Sequence, residues 1–419
     1  MTEKTALTLI LVTYSFPFGK AEQFLENEIT YSAETFQKVI VVPSHIQGEQ
    51  RTLPNNVEVD TSFATSRPQG ILRVMSVVFA CLQSLMFYEE LITHWKVLWR
   101  WKAFRKLCIH QDNAVWIARW LSAYIQTNKL NPRTTLLYTS WLVPHTTGIG
   151  LVRKRYPELK LVSRAHRDDL YEYDSNPPYI PFRKQTFQAV NRIFVISDHG
   201  HHYLTETYPA FHPIVEVARV GIKDPLYDNS PSQDGVFRII TCSFMIPVKR
   251  LHLLVDALRL LAANHPTLKI EWHHMGDGPL RTDIELAAKN LPSRVQSVFH
   301  GHMPYSQVFA FYRSQPLDVF VNISESEGIP AAIMEAYSYG IPAIATAVGG
   351  NPEIVNETNG ILLDSMPSIQ AIADALSQFA LYPEYAIAKR ETSKLMWRTL
   401  YNADVNYRSF VHRLIELYR

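Results

Sequence analysis

Cysteine is scarce in this chain: three in 419 residues, Cys81, Cys108 and Cys242, scattered without metal-ligand or disulfide spacing. This favours a reducing compartment over a disulfide-stapled scaffold. Charge is thin as well. Charged residues make up 19% and the formal net charge is +2, which argues against a nucleic-acid partner. No stretch of about 20 residues is apolar without a charge, so no membrane-spanning helix is expected. Met1-Thr-Glu-Lys4 leads into a short apolar run with no cleavage site, which reads as a first strand rather than a signal peptide. The expected location is cytoplasmic, with the inner face of the membrane as the place of any lipid contact. Asp-x-Asp, Gly-x-Ser-x-Gly and Walker A patterns are all missing. His199, His201 and His202 cluster, as do His273 and His274, but neither group has carboxylate or cysteine partners at metal-ligand spacing. No metal and no resident cofactor are expected.

What is there is a globular composition, 47% apolar, in a chain long enough for two domains of about 200 residues. Strand-like and helix-like segments alternate, which predicts α/β layers. Strands are expected at Thr8 to Thr13, Lys38 to Val42, Thr135 to Thr139, Leu159 to Ser163, Arg192 to Ile196 and Val215 to Val220. A second set follows at Val236 to Cys242, Thr267 to His273, Val295 to His300, Leu317 to Asn322 and Ile341 to Thr346. The polar stretch Lys223 to Gly235, rich in Pro, Ser and Gly, reads as a linker. The last segment, from about Tyr385, is helical by pattern.

The densest signal runs from Ser324 to Val355. A buried-strand run ends at Asn322. Gly328 and Pro330 then mark a strand-to-helix turn, and Ile329 to Tyr339 carry a helical pattern closed by Gly340. A helix start at the carboxyl edge of a parallel sheet is a place for anions. Glu327 lies in that turn and Glu335 eight positions later in the helix. Glu335 could accept from ribose hydroxyls and Glu327 from those of a sugar. The alternative is a surface helix with two solvated glutamates.

These two glutamates, with Gly-x-Pro and a Val-Gly-Gly-x-Pro-Glu segment after them, resemble the retaining glycosyltransferases of family 4. The resemblance implies the GT-B fold, two Rossmann-like domains facing each other across a cleft. Residues 1–222 would form the acceptor-side domain, with a helix at about 401–419 crossing back to it, and 236–400 the nucleotide-sugar domain. It also implies a phosphate-holding loop after the strand at Cys242. Lys249 matches the family's lysine there, while Phe244 stands where the family has arginine, and Arg250 is the candidate to supply the missing charge. Gly276-Asp-Gly-Pro279 resembles the family's Gly-x-Gly-Pro turn, and the backbone after Gly301, at His302, would read the base. Gly328 and Ile329 would meet the phosphates at the helix start, and Gly349 and Gly350 would allow close approach near the sugar-phosphate. On the acceptor side Gly19 and Glu22 match a Gly-rich loop whose usual glycine pair is reduced to one. His166, in a segment resembling His-x-x-Asp, would line the reacting centre. Ordinary turns, a solvated Lys-Arg pair and a structural histidine are the plain alternatives for these positions.

Gly70 to Gln126 lies outside these motifs, helical by pattern and rich in aromatics. Trp95, Trp99 and Trp101 interleave with Lys96, Arg100, Lys102, Arg105 and Lys106. A helix would set an aromatic stripe beside a basic one, suited to a lipid headgroup region contacted through residues 91–106. Packing on its own domain is the alternative reading. The resemblance thus implies a retaining, metal-independent sugar transferase. Its donor is a nucleoside diphosphate sugar, its acceptor a glycan or lipid-linked molecule, and its setting cell-surface polysaccharide synthesis. His166, Lys249 and Glu327 are the catalytic candidates. A sugar-nucleotide epimerase of the same fold and a non-catalytic partner subunit are the alternatives.

Overall fold

The computed structural model describes residues 4–19 and 21–418. The chain divides into two compact units, one ending at Arg219 and taking up the chain again from Tyr407, the other Val220–Asn406. Seven strands belong to the first: β1 (Thr5–Thr13), β2 (Phe36–Pro43), β3 (Val57–Val59), β4 (Thr135–Thr139), β5 (Lys160–Ala165), β6 (Arg192–Val195) and β7 (Val215–Val217). Six belong to the second: β8 (Val236–Cys242), β9 (Lys269–Met275), β10 (Val295–Phe299), β11 (Val319–Asn322), β12 (Ala343–Thr346) and β13 (Gly360–Leu363). Both sheets are parallel. Their orders are β3-β2-β1-β4-β5-β6-β7 and β10-β9-β8-β11-β12-β13.

Parallel strands covered on both faces need unbroken apolar runs. Leu9 to Val12 and Val39 to Val42 supply them in the first unit and are all buried. Two strands escape sequence reading. β3 is three residues with a central glutamate, and β13 opens on a glycine, so neither shows a run.

The Lys223 to Gly235 stretch is not a free linker. Asn229 is buried there, donating to the carbonyls of Tyr312 (2.7 Å) and Gln315 (2.6 Å), and it takes its place inside the second unit. Gly221 sits where a Cβ would lie 2.5 Å from the Cα of Ala403, and the Ile222 N–H donates to Tyr401 O at 2.9 Å. In the first unit the returning helix is held by Arg413, which donates to Val217 O at 2.8 Å.

Residues 70–127 form helices Gly70–Leu82, Leu85–Thr93 and Trp101–Thr127, with a 3-10 turn at Trp95–Trp99. The single helix expected to align Trp95 with Trp99 and Lys96 with Arg100 does not form, because Arg100 is extended between the turn and the next helix. Trp95, Trp99 and Trp101 are nevertheless exposed, whereas Trp116 is buried and stacked on Phe63. Cys81 and Cys108, distant in sequence, share a hydrogen bond between the Gly70–Leu82 and Trp101–Thr127 helices, which pushes the Cys81 thiol up and pulls Cys108 down.

Candidate functional site

In open parallel sheets of this kind, ligands sit at the carboxyl edge where the strand order reverses. In the second unit that point lies between the adjacent strands β8 and β11. The loop after β8 carries Lys249 and the loop after β11 carries Glu327. The Glu325 N–H donates to Val248 O at 2.8 Å, which ties the two loops together. Lys249 Nζ lies 2.5 Å from Glu327 Oε1, and Asn322 Nδ2 donates to the same oxygen at 3.1 Å.

The third side of this cluster is the loop after β12. Gly349 has φ +52°, and a Cβ there would lie 1.8 Å from Glu327 O. Gly350 donates its N–H to Gly328 O at 2.8 Å, and its own missing Cβ leaves room for Ile329. The glycine pair thus presses on the backbone of residues 327–329, and any side chain at Gly349 would push Glu327 off Lys249. Gly328 and Ile329 lead into helix Ala331–Ser338, whose Pro330 start has no side-chain cap, leaving first-turn N–H groups for an anion.

Glu335, on this helix, is buried, and no hydrogen bond or ion pair reaches its carboxylate among the described residues. Burial pushes that carboxyl up to about 7. The Cys242 thiol, at the end of β8, is pushed up to about 12 by burial and then by the charge of Glu335, with Lys249 opposing. Lys249 and Glu335 thus both act on the Cys242 thiol, while Glu327 and Glu335 lie in the loop and the helix of one β11-loop-helix segment. A buried carboxylate with accepting capacity and no donor beside it is suited to hydroxyl groups from a ligand.

Other positions expected to bind take part differently. Arg250 is buried in a left-handed conformation, and its guanidinium donates to Ser365 O at 2.7 Å and to Met366 Sδ at 3.2 Å. It secures the loop after β13, while Phe244 is 66% exposed. Gly276 has φ +141°, donates its N–H to Gly301 O at 2.8 Å, and would carry a Cβ 1.8 Å from Ser243 O. It lets the β9 loop close on the β8 loop. His302 is exposed on the following loop. Asn322 is the contributor that sequence reading missed; its signal is a lone amide at the end of a buried run.

The first unit has its own sheet edge. Glu22 accepts from the N–H groups of Tyr14 (3.0 Å), Ser15 (2.7 Å) and Phe16 (2.8 Å), from Ser140 Oγ (2.9 Å) and from Trp141 Nε1 (2.7 Å). It organises the β1 loop and joins it to the β4 loop. Gly19 (φ +64°) donates to Glu49 O at 3.2 Å and accepts from Arg51 at 2.8 Å, so both its backbone groups are engaged within the protein. His166 follows β5, its ring between Phe24 (4.5 Å) and Trp141 (4.6 Å), with a buried Nε2 that has no partner. Burial, then the Arg164 charge, brings its imidazole down to about 3, so it is neutral. Asp169 accepts from the His166 N–H at 2.6 Å and the Leu142 N–H at 2.5 Å, and burial raises its carboxyl to about 7.

Residues 226–394, most of the second unit, match the family model of glycosyl transferases group 1. That match is confined to the second unit and covers about two fifths of the chain. Among curated relatives, the GtfA subunit of a UDP-N-acetylglucosamine–peptide N-acetylglucosaminyltransferase from Streptococcus agalactiae is 27% identical over 221 residues, 50% of this chain and 42% of that one. A putative colanic acid biosynthesis glycosyltransferase, WcaL of Salmonella typhimurium, is 24% identical over 249 residues, 57% of this chain and 61% of that one. The chain thus spans less than two thirds of either relative's length. Among solved structures, Anabaena Alr3699/HepE in complex with UDP and glucose superposes with a TM-score of 0.64 over 98% of this chain and 99% of that one, at 16% identity. The fold is that of the GT-B glycosyltransferases.

Proposed function

We propose that this group 1 transferase moves a sugar from a nucleoside diphosphate sugar to a glycan or lipid-linked acceptor, with retention and without a metal, in the synthesis of a cell-surface polysaccharide. The observation that carries it is the partnerless buried Glu335 on the helix that follows the loop of the 2.5 Å Lys249–Glu327 pair. Ribose hydroxyls would donate to Glu335. A donor's diphosphate would take over Lys249, and a sugar hydroxyl would donate to Glu327 in its place, so each group exchanges one partner for another and no buried charge is left alone. As the bond from the anomeric carbon to the phosphate oxygen breaks, Lys249 and the Ala331–Ser338 helix start take up the charge on the leaving diphosphate. The acceptor oxygen forms its bond on the same face, and its proton passes to the leaving phosphate. His166, neutral and buried at the first unit's own sheet edge, is that unit's catalytic candidate. Two similar proteins support the reading: HepE was solved with UDP and glucose, and WcaL is described as a putative colanic acid biosynthesis glycosyltransferase.

The test is a panel of nucleotide sugars incubated with enzyme and membrane extract in EDTA, with nucleoside diphosphate release and labelled product followed. Consumption of one donor with product retaining the donor's anomeric configuration is expected. Turnover only after manganese is added would contradict metal independence. Conversion of the donor without any acceptor would point to the epimerase instead.

A further inference from the structure

The first unit carries an apolar surface that sugar transfer does not use. Helix Gly70–Leu82 packs on helix Trp101–Thr127 through Ala80 and Cys81, and Ser76 Oγ donates to Asp112 Oδ1 at 2.8 Å. The rest of its circumference is open and, Arg73 apart, largely apolar: Ile71, Leu72, Val74, Val78 and Leu82 are all exposed. The next helix adds Leu85, 87% exposed, and Ile92, and the turn beyond adds Trp99 and Trp101. A helix apolar all round belongs in a core or in lipid, and this one has a neighbour on one side only.

Spanning does not fit. The two helices have 13 and 9 residues and bend by 72° at the break. Thirteen residues reach about 20 Å, short of a hydrocarbon core of about 30 Å. Arg73 and Glu89 interrupt both. Charge names the occupant. From 70 to 106 there are six basic residues, Arg73, Lys96, Arg100, Lys102, Arg105 and Lys106, against two acidic ones, Glu89 and Glu90. Glu90 is buried and accepts from the Tyr179 hydroxyl at 2.7 Å, and Lys106 is half-buried and donates to Tyr179 O at 2.8 Å, so the open face carries the other five basic residues against Glu89, in a chain whose net charge is only +2. Exposed tryptophans among lysines and arginines suit the headgroup level. Trp101, Lys102 and Arg105 also line a cavity of about 820 Å³ in the first unit, shared with Asp168 and Asp169, so the face runs directly into a polar recess.

We propose that helices Gly70–Leu82 and Leu85–Thr93, with the turn through Trp101, dock on an anionic lipid bilayer and lie in its headgroup region. The apolar side chains enter the acyl boundary and the basic residues meet lipid phosphates. The proposal deepens the lipid-linked acceptor reading, rests on it only for purpose, and is read without any enzymatic activity.

The experiment is co-sedimentation of the full chain with phosphatidylcholine vesicles and with phosphatidylcholine–phosphatidylglycerol vesicles, at low and high salt. Analytical ultracentrifugation without lipid runs alongside. Binding to the anionic vesicles alone, reversed by salt, is expected. Ile71→Glu with Leu85→Glu should reduce it about tenfold or more, with circular dichroism and nucleoside diphosphate affinity unchanged. Failure to sediment with either vesicle overturns the proposal, and equal binding to both overturns the anionic assignment. A dimer dissolved by the same substitutions, with no vesicle binding, would assign the face to a second copy. Failure of sugar transfer with vesicle binding intact would count against the function alone.

Discussion

Lys249 Nζ and Glu327 Oε1 lie 2.5 Å apart although 78 residues separate them in sequence. The contact exists because the β8 and β11 loops are bonded to each other and the glycine pair after β12 holds Glu327 in place. It defines what the cluster should do when either partner is removed.

Lys249→Ala should lower kcat by about a hundredfold, the effect of losing one charge contact to a transition state. Glu327→Gln should lower kcat as well while leaving free nucleotide affinity nearly intact. Because the two side chains share one interaction, the double substitution should cost less than the two single effects combined. Steady-state kinetics of the four proteins reads this out.

Gly349→Ala should be more damaging than its position in a loop suggests. The new methyl would sit 1.8 Å from Glu327 O at a φ of +52°. Backbone strain of this kind costs about 1–3 kcal/mol, and relief can come only by moving Glu327. Loss of turnover with a modest fall in Tm, and retained Glu335-dependent nucleotide binding, is the expected pattern.

The buried Glu335 carboxyl gives a pH dependence of known sign. Its folded value, about 7, is above its ordinary 4.5, so its contribution to stability is full below about 4.5 and is lost as pH rises through about 7. Asp169 adds the same sign from the first unit. The Glu335→Gln protein isolates the first term: its stability should fall less than the wild type's between those values, measured by urea titration. Hydroxyl donors stabilise the charged form, so nucleotide binding should release a proton and strengthen with pH between about 6 and 8, and Glu335→Gln should flatten that trend.

Arg164 and Glu28 form an ion pair under the first sheet, at 0% and 1% side-chain exposure, with Arg164 also over the Phe410 ring at 4.1 Å. Removing one partner leaves a buried charge, so Arg164→Met should cost about 3–5 kcal/mol. The loss is read by denaturant unfolding.

The GT-B architecture was legible because parallel strands buried on both faces leave apolar runs that sequence displays directly, as at Leu9 to Val12. Glu327 and Glu335 were legible because one turn and one helix hold both. What depends on distant chain was not. Arg250 turns to a carbonyl 115 residues away, and nothing near it in sequence marks that choice. Glu22 collects five donors from two loops, so its part in shaping the β1 turn shows only when both loops are folded. The open apolar face of helix Gly70–Leu82 was not singled out, since composition does not distinguish an apolar face that is covered from one that is open.

The central claim is that Glu335 and the Lys249–Glu327 pair form a nucleotide-sugar site. Calorimetric titration of nucleoside diphosphates into the wild type, Glu335→Ala and Glu327→Ala tests it most directly. A hydrogen bond to a charged group is worth roughly 1.5–3 kcal/mol, so Glu335→Ala should weaken binding about tenfold or more, while Glu327→Ala binds the free nucleotide as the wild type does. Wild-type affinity in both variants would contradict the assignment.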